Sequence, residues 1–194
     1  NFHFMFTAIT SQRSSGGISL MYAMHSRQLS TGSTLESKLN TIDELIKKLR
    51  EKIPSFKEFE ANFMEKLYSR KYPKDKRLVQ YILGKIYRYH DKSGVPIDYS
   101  QMTIEHLAPE NAEITSGKQI PDLTIAQIGN LILVDNEMNK KLSNKAFTEK
   151  KPILEQSSVW LDRHIKKATE WGKKEIEERT NYLAKVAYEK IWRL

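Results

Sequence analysis

The chain has 194 residues, of which 32 are basic and 24 acidic, for a net charge of +8. A chain of this length buries a core without covalent staples, and its lack of cysteine excludes a disulfide framework, a thiolate metal site and a cysteine nucleophile. The basic balance favours a polyanionic partner, nucleic acid being the commonest, and no apolar run approaches the ~20 residues of a membrane span.

Residues 1–37 open on the apolar FHFMF and then turn rich in Ser and Gly. Residues 1–34 hold no Asp or Glu, but hold Arg13 and Arg27. That composition resembles a transit peptide; the plainer reading, for a chain that starts on Asn as a piece of something longer, is the tail of an upstream domain or a linker. SQRSSGG reads as a loop and ISLMYAMHSRQL as a short helix. From residue 38 to 194 the pattern predicts a helical domain. LNTIDELIKKLREKI sets Leu39, Ile42, Leu45, Ile46, Leu49 and Ile53 on one apolar face, and Pro54 stops it. Ser55 is the predicted N-cap of FKEFEANFMEKLYS, with Phe56, Phe59, Phe63 and Leu67 on one side. DKRLVQYILGKIYRYH gives a third helix, closed by a turn at SGVP.

Residues 101–150 break the helical rhythm. QMTIEHLA reads as a short strand, ENAEITSGKQIPD as a long polar loop, IGNLILV as a second strand, and DNEMNKKLSN as a helix. Residues 151–194 return to helix, with Pro152 in a first turn and Gly172 denting the last helix or dividing it into two.

The residues able to do chemistry sit in that central segment. Glu105 and His106 end the first strand, with Pro109 close behind. Asn130 heads the second, and Asn139 follows nine positions later on the helix, next to Lys140 and Lys141. EHLAP, NLILV and EMNKK, in that order and spacing, resemble the ββα-metal, or HNH (His-Me finger), nuclease motif. A wider resemblance covers most of residues 40–192. KRLVQYILGKIY, TIEHLAPEN, IGNLILVDNEMNKKLSNKAFTEKK and WGKKEIEERTNYLAKVAYEKIW are similar to the C-terminal nuclease domain of GmrSD-type (type IV) restriction proteins. In the last block the similarity runs through Trp171, Ile176, Arg179, Leu183, Ala187 and Trp192.

The resemblance implies a mostly α fold with a small β element, its ββα-metal (HNH) core at about 101–150 embedded in a helical shell. It implies a metal-dependent DNA endonuclease in the bacterial cytoplasm, the effector end of an antiphage restriction protein. An upstream ParB-like domain of that protein would read nucleotide and DNA modification. His106 would be the general base, since an ordinary imidazole is largely neutral at pH 7. Glu105 and the side-chain carbonyl of Asn139 would be oxygen ligands of one Mg²⁺ or Mn²⁺. Asn130 would tie the loop after the first strand to the second and so orient His106. Lys140, Lys141 and Lys145 would neutralise phosphates. Asp135 and Met138 stand where many HNH proteins carry a zinc-binding cysteine pair, so no structural zinc is expected. Ala108 and Glu110 stand where a larger aliphatic residue and Gln are commoner.

Strand alternation points Glu105 and His106 to opposite faces, so the motif requires a bend at 105–107 to bring both to one site. Each residue also has a plainer role: His106 as a hydrogen-bonded core histidine, Asn130 as turn chemistry, Asn139 as an exposed helix residue, and the lysines as a solvated face. Arg179 would then pair with Glu175 at helical spacing, and the tryptophans would be core. A catalytically silent nucleic-acid-binding module on the same scaffold, and a helical interaction domain, are the competing functions.

Overall fold

The computed structural model describes residues 16–91, 98–110 and 120–193. The expected turn at SGVP, the apolar opening FHFMF and most of the expected loop ENAEITSGKQIPD lie outside the described residues. Two compact units form. One holds the described residues up to Phe63 together with those from Tyr188 onward; the other holds Met64–Ala187.

The first unit is built on a pair of helices, Gly16–Thr31 and Leu35–Glu51. The Thr34 hydroxyl accepts from Ser37 N and caps the second. Ile18, Met21 and Leu49 form its buried centre, with Leu45 and Ile53 packed against them. Ser55 takes its expected place, its hydroxyl accepting from Glu58 N at 3.3 Å ahead of the helix Phe56–Met64. That helix ends earlier than its apolar spacing predicts. Leu67 leaves it to form an isolated bridge with Gln127, and Tyr68 N donates to Ala126 O at 2.8 Å. Long-range backbone pairing wins there over local helical propensity.

The second unit carries the strands. The helix Lys76–His90 matches its apolar pattern and buries Val79, Ile82, Leu83 and Ile86. The strands β1 (Thr103–His106) and β2 (Leu131–Val134) pair antiparallel, with Glu105 opposite Ile132 and His106 opposite Leu131. All four residues of β2 are fully buried, as a strand covered on both faces requires. Ile132 and Val134 face a core of Leu107, Leu142, Phe147, Leu154, Trp171 and Ile176. On the other side Leu133 N donates to the hydroxyl of Tyr87 in the helix Lys76–His90.

After β2, the Asp135 carboxylate accepts from Met138 N at 2.7 Å and caps the helix Asn136–Leu142. The next helix runs Phe147–Glu155, so Pro152 sits inside it and not in its first turn. A missing N–H in so short a helix removes a single bond. Gly172 neither dents nor divides a long helix; it is the N-cap of Lys173–Val186, and its N–H donates to Glu175 Oε2 at 2.9 Å. The described residues are mostly helical, with one small two-stranded sheet. No helix among the described residues is long and apolar enough to cross a membrane.

Candidate active site

Glu105 is the centre of the polar groups around β1. It shares a face with its cross-strand neighbour Ile132, the face covered by the two helices that follow β2. Each carboxylate oxygen has a separate partner. Oε2 accepts from Asn139 Nδ2 at 3.0 Å, from the helix Asn136–Leu142. Oε1 accepts from Lys150 Nζ at 2.7 Å, from the helix Phe147–Glu155. Lys150 also donates to the backbone carbonyl of His106 at 2.6 Å and is 1% exposed. Burial pushes the Glu105 carboxyl up and the Lys150 ammonium down, and the hydrogen bond and charge of each partner oppose both shifts.

His106 leaves the ladder on the opposite face. Its Nε2 lies 2.9 Å from Tyr68 O and 3.4 Å from Glu110 Oε1. A carbonyl and a carboxylate can only accept, so Nε2 carries the proton, and a neutral ring keeps its lone pair on Nδ1. The imidazole stacks on the Tyr68 ring, centroids 5.9 Å apart. Burial holds its pKa below the ordinary histidine value. The Tyr68 carbonyl and Glu110 oppose that shift, and the charges of Lys150 and Arg70 add to it. Glu110 and Lys150 therefore act electrostatically on both Glu105 and His106, although the two side chains leave β1 on opposite faces.

Asn130 is wholly buried, and its side chain makes four hydrogen bonds. Oδ1 accepts from Ala108 N at 2.8 Å and from Trp171 Nε1 at 3.1 Å; Nδ2 donates to Ala108 O and Ile125 O, each at 2.9 Å. Its backbone carbonyl accepts from Leu107 N. These bonds fasten residues 107–108, directly after His106, to the head of β2. The preceding Gly129 is required by close approach rather than by a turn: a Cβ there would lie 2.1 Å from Ile176 O and 2.3 Å from Thr180 Oγ1. Arg179, from the same helix as Thr180, donates to Gly129 O at 2.7 Å and Leu131 O at 2.9 Å, on both sides of Asn130. Its acid partner is Asp162, Nε to Oδ2 at 2.6 Å, and not Glu175.

Of the residues singled out from sequence, Glu105 and Asn139 meet, His106 leaves β1 on the opposite face, and Asn130 lies behind the turn that follows it. Lys140 and Lys141 are exposed in the last turn of their helix, and Lys145 follows it, half-buried with its Nζ on Lys141 O. Trp171 is core, stacked on Phe147 at 4.9 Å. Lys150, which lies in the matched block KAFTEKK, and Tyr68 carry no role in the sequence reading. Lys150 had a legible signal: with Phe147 and Leu154 it falls at i, i+3 and i+7, a lysine on an apolar helix face. Tyr68 had none, because it acts through its main-chain carbonyl.

The donor chemistry near Glu105 fits a small, hard cation. Adjacent oxygens of an octahedral Mg²⁺, with bonds of about 2.0–2.1 Å, lie about 3 Å apart. Glu105 Oε2 and the Asn139 amide are 3.0 Å apart, and turning the amide over exchanges its nitrogen for its oxygen. Among the described residues no group of three or more His, Cys, Asp or Glu side chains is placed to hold a metal. A cation at Glu105 would thus draw its other oxygens from water and substrate.

The family model described as GmrSD restriction endonucleases, C-terminal domain, matches residues 53–186 of the chain. No curated protein matches it.

Proposed function

Because the chain belongs to the family of GmrSD restriction endonuclease C-terminal domains, we propose that it is a divalent-metal-dependent DNA endonuclease of the HNH (His-Me finger) type. The observation that supports this most is the meeting of Glu105 and Asn139. They are 34 positions apart, on a strand and on the helix after the next strand, and they meet through a hydrogen bond from the Asn139 amide nitrogen to Glu105 Oε2. With the amide turned over, its oxygen would stand beside Oε2 as a second oxygen ligand. In this reading the strand pair and the helix Asn136–Leu142 form the ββα-metal core.

Glu105 Oε2 and the Asn139 carbonyl would hold the Mg²⁺ or Mn²⁺. When bound, such an ion supplies Lewis acidity to the phosphate and stabilises the departing 3′ oxygen. His106 takes a proton from the attacking water at Nδ1, the nitrogen that the Tyr68 carbonyl leaves free. Because His106 and Glu105 leave β1 on opposite faces, this step requires the backbone at 105–107 to bend so that the ring and the ion reach one site. Burial favours the neutral imidazole, so the base stays competent at and somewhat below neutral pH. Asn130 keeps the turn after His106 in place and touches no substrate. Lys140, Lys141 and Lys145 bind flanking phosphates. The chain serves as the nuclease part of a larger antiphage restriction protein, whose upstream ParB-like domain reads nucleotide and base modification.

The test is His106→Ala in purified protein, assayed on duplex DNA with Mg²⁺ or Mn²⁺. Cleavage is expected to fall by roughly 10²–10⁴-fold, with the circular dichroism spectrum and melting transition retained. A folded His106→Ala protein that cleaves at the wild-type rate removes His106 from the chemistry. Wild-type protein that binds DNA in a salt-dependent way, but cleaves no duplex with either metal, is instead a silent nucleic-acid-binding module.

A further inference from the structure

We propose that Lys150 limits Glu105 to one metal-facing oxygen and thereby selects small octahedral cations, Mg²⁺ and Mn²⁺, over Ca²⁺. This rests on the reading of Glu105 and Asn139 as the cation-holding pair. Lys150 reaches β1 from the helix Phe147–Glu155, and its nitrogen is held at two points. One is Glu105 Oε1 at 2.7 Å; the other is the His106 carbonyl at 2.6 Å. The second anchor belongs to the strand backbone and does not turn with the carboxylate. Lys150 therefore does not follow Glu105 if that side chain rotates, and Oε1 loses a partner in a dry place if it does. Leaving a buried donor or acceptor unpaired is costly, so Oε1 stays on Lys150 and Oε2 stays toward Asn139.

The two ions differ in what they ask of a carboxylate. Ca²⁺ takes six to eight oxygens at about 2.3–2.6 Å and often binds both oxygens of one carboxylate. Mg²⁺ takes six at about 2.0–2.1 Å and is commonly held through single carboxylate oxygens while keeping several waters. A carboxylate with one oxygen engaged by a buried lysine offers the second arrangement and withholds the first. Lys150 would also fix where Oε2 points, since the rotation of the carboxylate is set by its other end. In that role it is a positioning residue that never touches DNA.

Calorimetric titration of wild type and Lys150→Met with Mg²⁺, Mn²⁺ and Ca²⁺, without DNA, tests this. Wild type is expected to bind Mg²⁺ and Mn²⁺ in preference to Ca²⁺. Lys150→Met is expected to raise Ca²⁺ affinity relative to Mg²⁺ by roughly 10-fold, the lower end of what partners of metal ligands contribute. An unchanged ratio in a folded variant overturns the proposal. Should Lys150→Met fail to fold, crystals of wild type soaked in Mn²⁺ and in Ca²⁺ decide. One Glu105 oxygen on the ion, with Lys150 still on the other, supports the proposal. Both oxygens on the ion, with Lys150 displaced, overturn it and leave the nuclease reading standing. If wild type binds none of the three ions and cleaves nothing, the metal-site reading falls and takes this inference with it.

Discussion

Two buried acid–base pairs brace the same strands, and they are finished differently. At Arg179 and Asp162 the acid is closed. Asp162 Oδ2 takes Arg179 Nε, Oδ1 takes the N–H groups of His164 and Ile165, and the guanidinium goes on to two carbonyls at the head of β2. At Lys150 and Glu105 one oxygen is closed by the lysine, and among the described residues the other meets only the half-exposed amide of Asn139. The ionisation of the two acids differs accordingly. Burial acts to raise Asp162, but the charge and hydrogen bond of Arg179 and the two backbone donors outweigh it and hold the carboxyl below its ordinary value. At Glu105 burial prevails over Lys150 and the carboxyl is raised. A fully partnered acid stabilises the fold, whereas an acid short of partners keeps a lone pair that a cation can use.

Breaking the closed pair has the largest effect. Arg179→Met leaves Asp162 buried without its counter-charge and strips two β2-flanking carbonyls of a donor. Removing one partner of a buried pair costs about 3–5 kcal/mol, read as a lower urea midpoint. Asp162→Leu added to Arg179→Met is expected to recover part of that loss. A single variant that loses under about 1 kcal/mol, within the ordinary range for exposed pairs, would show that the pair is not what braces β2. The pH dependence has a definite sign. A carboxyl held low when folded contributes stability above its unfolded pKa of about 4, and the contribution is lost as pH falls through the lower folded value. Replacing Asp162 therefore flattens the acid side of the stability curve.

Legibility from sequence followed the range of the interactions. The helix Lys76–His90 and both strands were readable because apolar spacing within a few residues sets them. The end of the helix at Met64 was not, because it depends on Leu67 reaching Gln127. Glu105, Asn139 and Asn130 stood out through ordered spacing and resemblance. The pairing of Arg179 was misplaced for a definite reason: Glu175 satisfies the helical i, i+4 rule, but it is used at Gly172, and the actual partner lies before the helix, at the N-cap of Arg163–Lys167. Lys150 was hidden by its neighbours, since a lysine beside Glu149 and Lys151 reads as solvent-facing until Phe147 and Leu154 are seen on its face.

A smaller effect sharpens the open side of the site. Lys140 and Lys141 are exposed on the helix that carries Asn139. If each neutralises one phosphate, replacing both by Ala reduces the slope of log K against log salt by about 1.8. Between 50 and 200 mM salt that difference amounts to about a 12-fold change in relative DNA affinity. Titrations at several salt concentrations measure it directly, and a slope equal to wild type would assign both lysines to an ordinary solvated face.

The smallest expected change concerns Glu110. Its Oε1 is 3.4 Å from His106 Nε2, and both its oxygens accept from Arg70 N at 3.3 Å. Its charge favours imidazolium and partly offsets the burial that favours the neutral ring. Lys150 and Arg70 act in the direction of burial, as a cation held at Glu105 would. Glu110→Gln removes the charge but keeps an acceptor for Arg70. The His106 pKa is then expected to drop further, so the acid limb of kcat/KM, which reports the base in free enzyme, moves to lower pH while the plateau near neutrality is unchanged. An acid limb that stays put, or moves upward, means that the group whose protonation stops cleavage is not the imidazole beside Glu110.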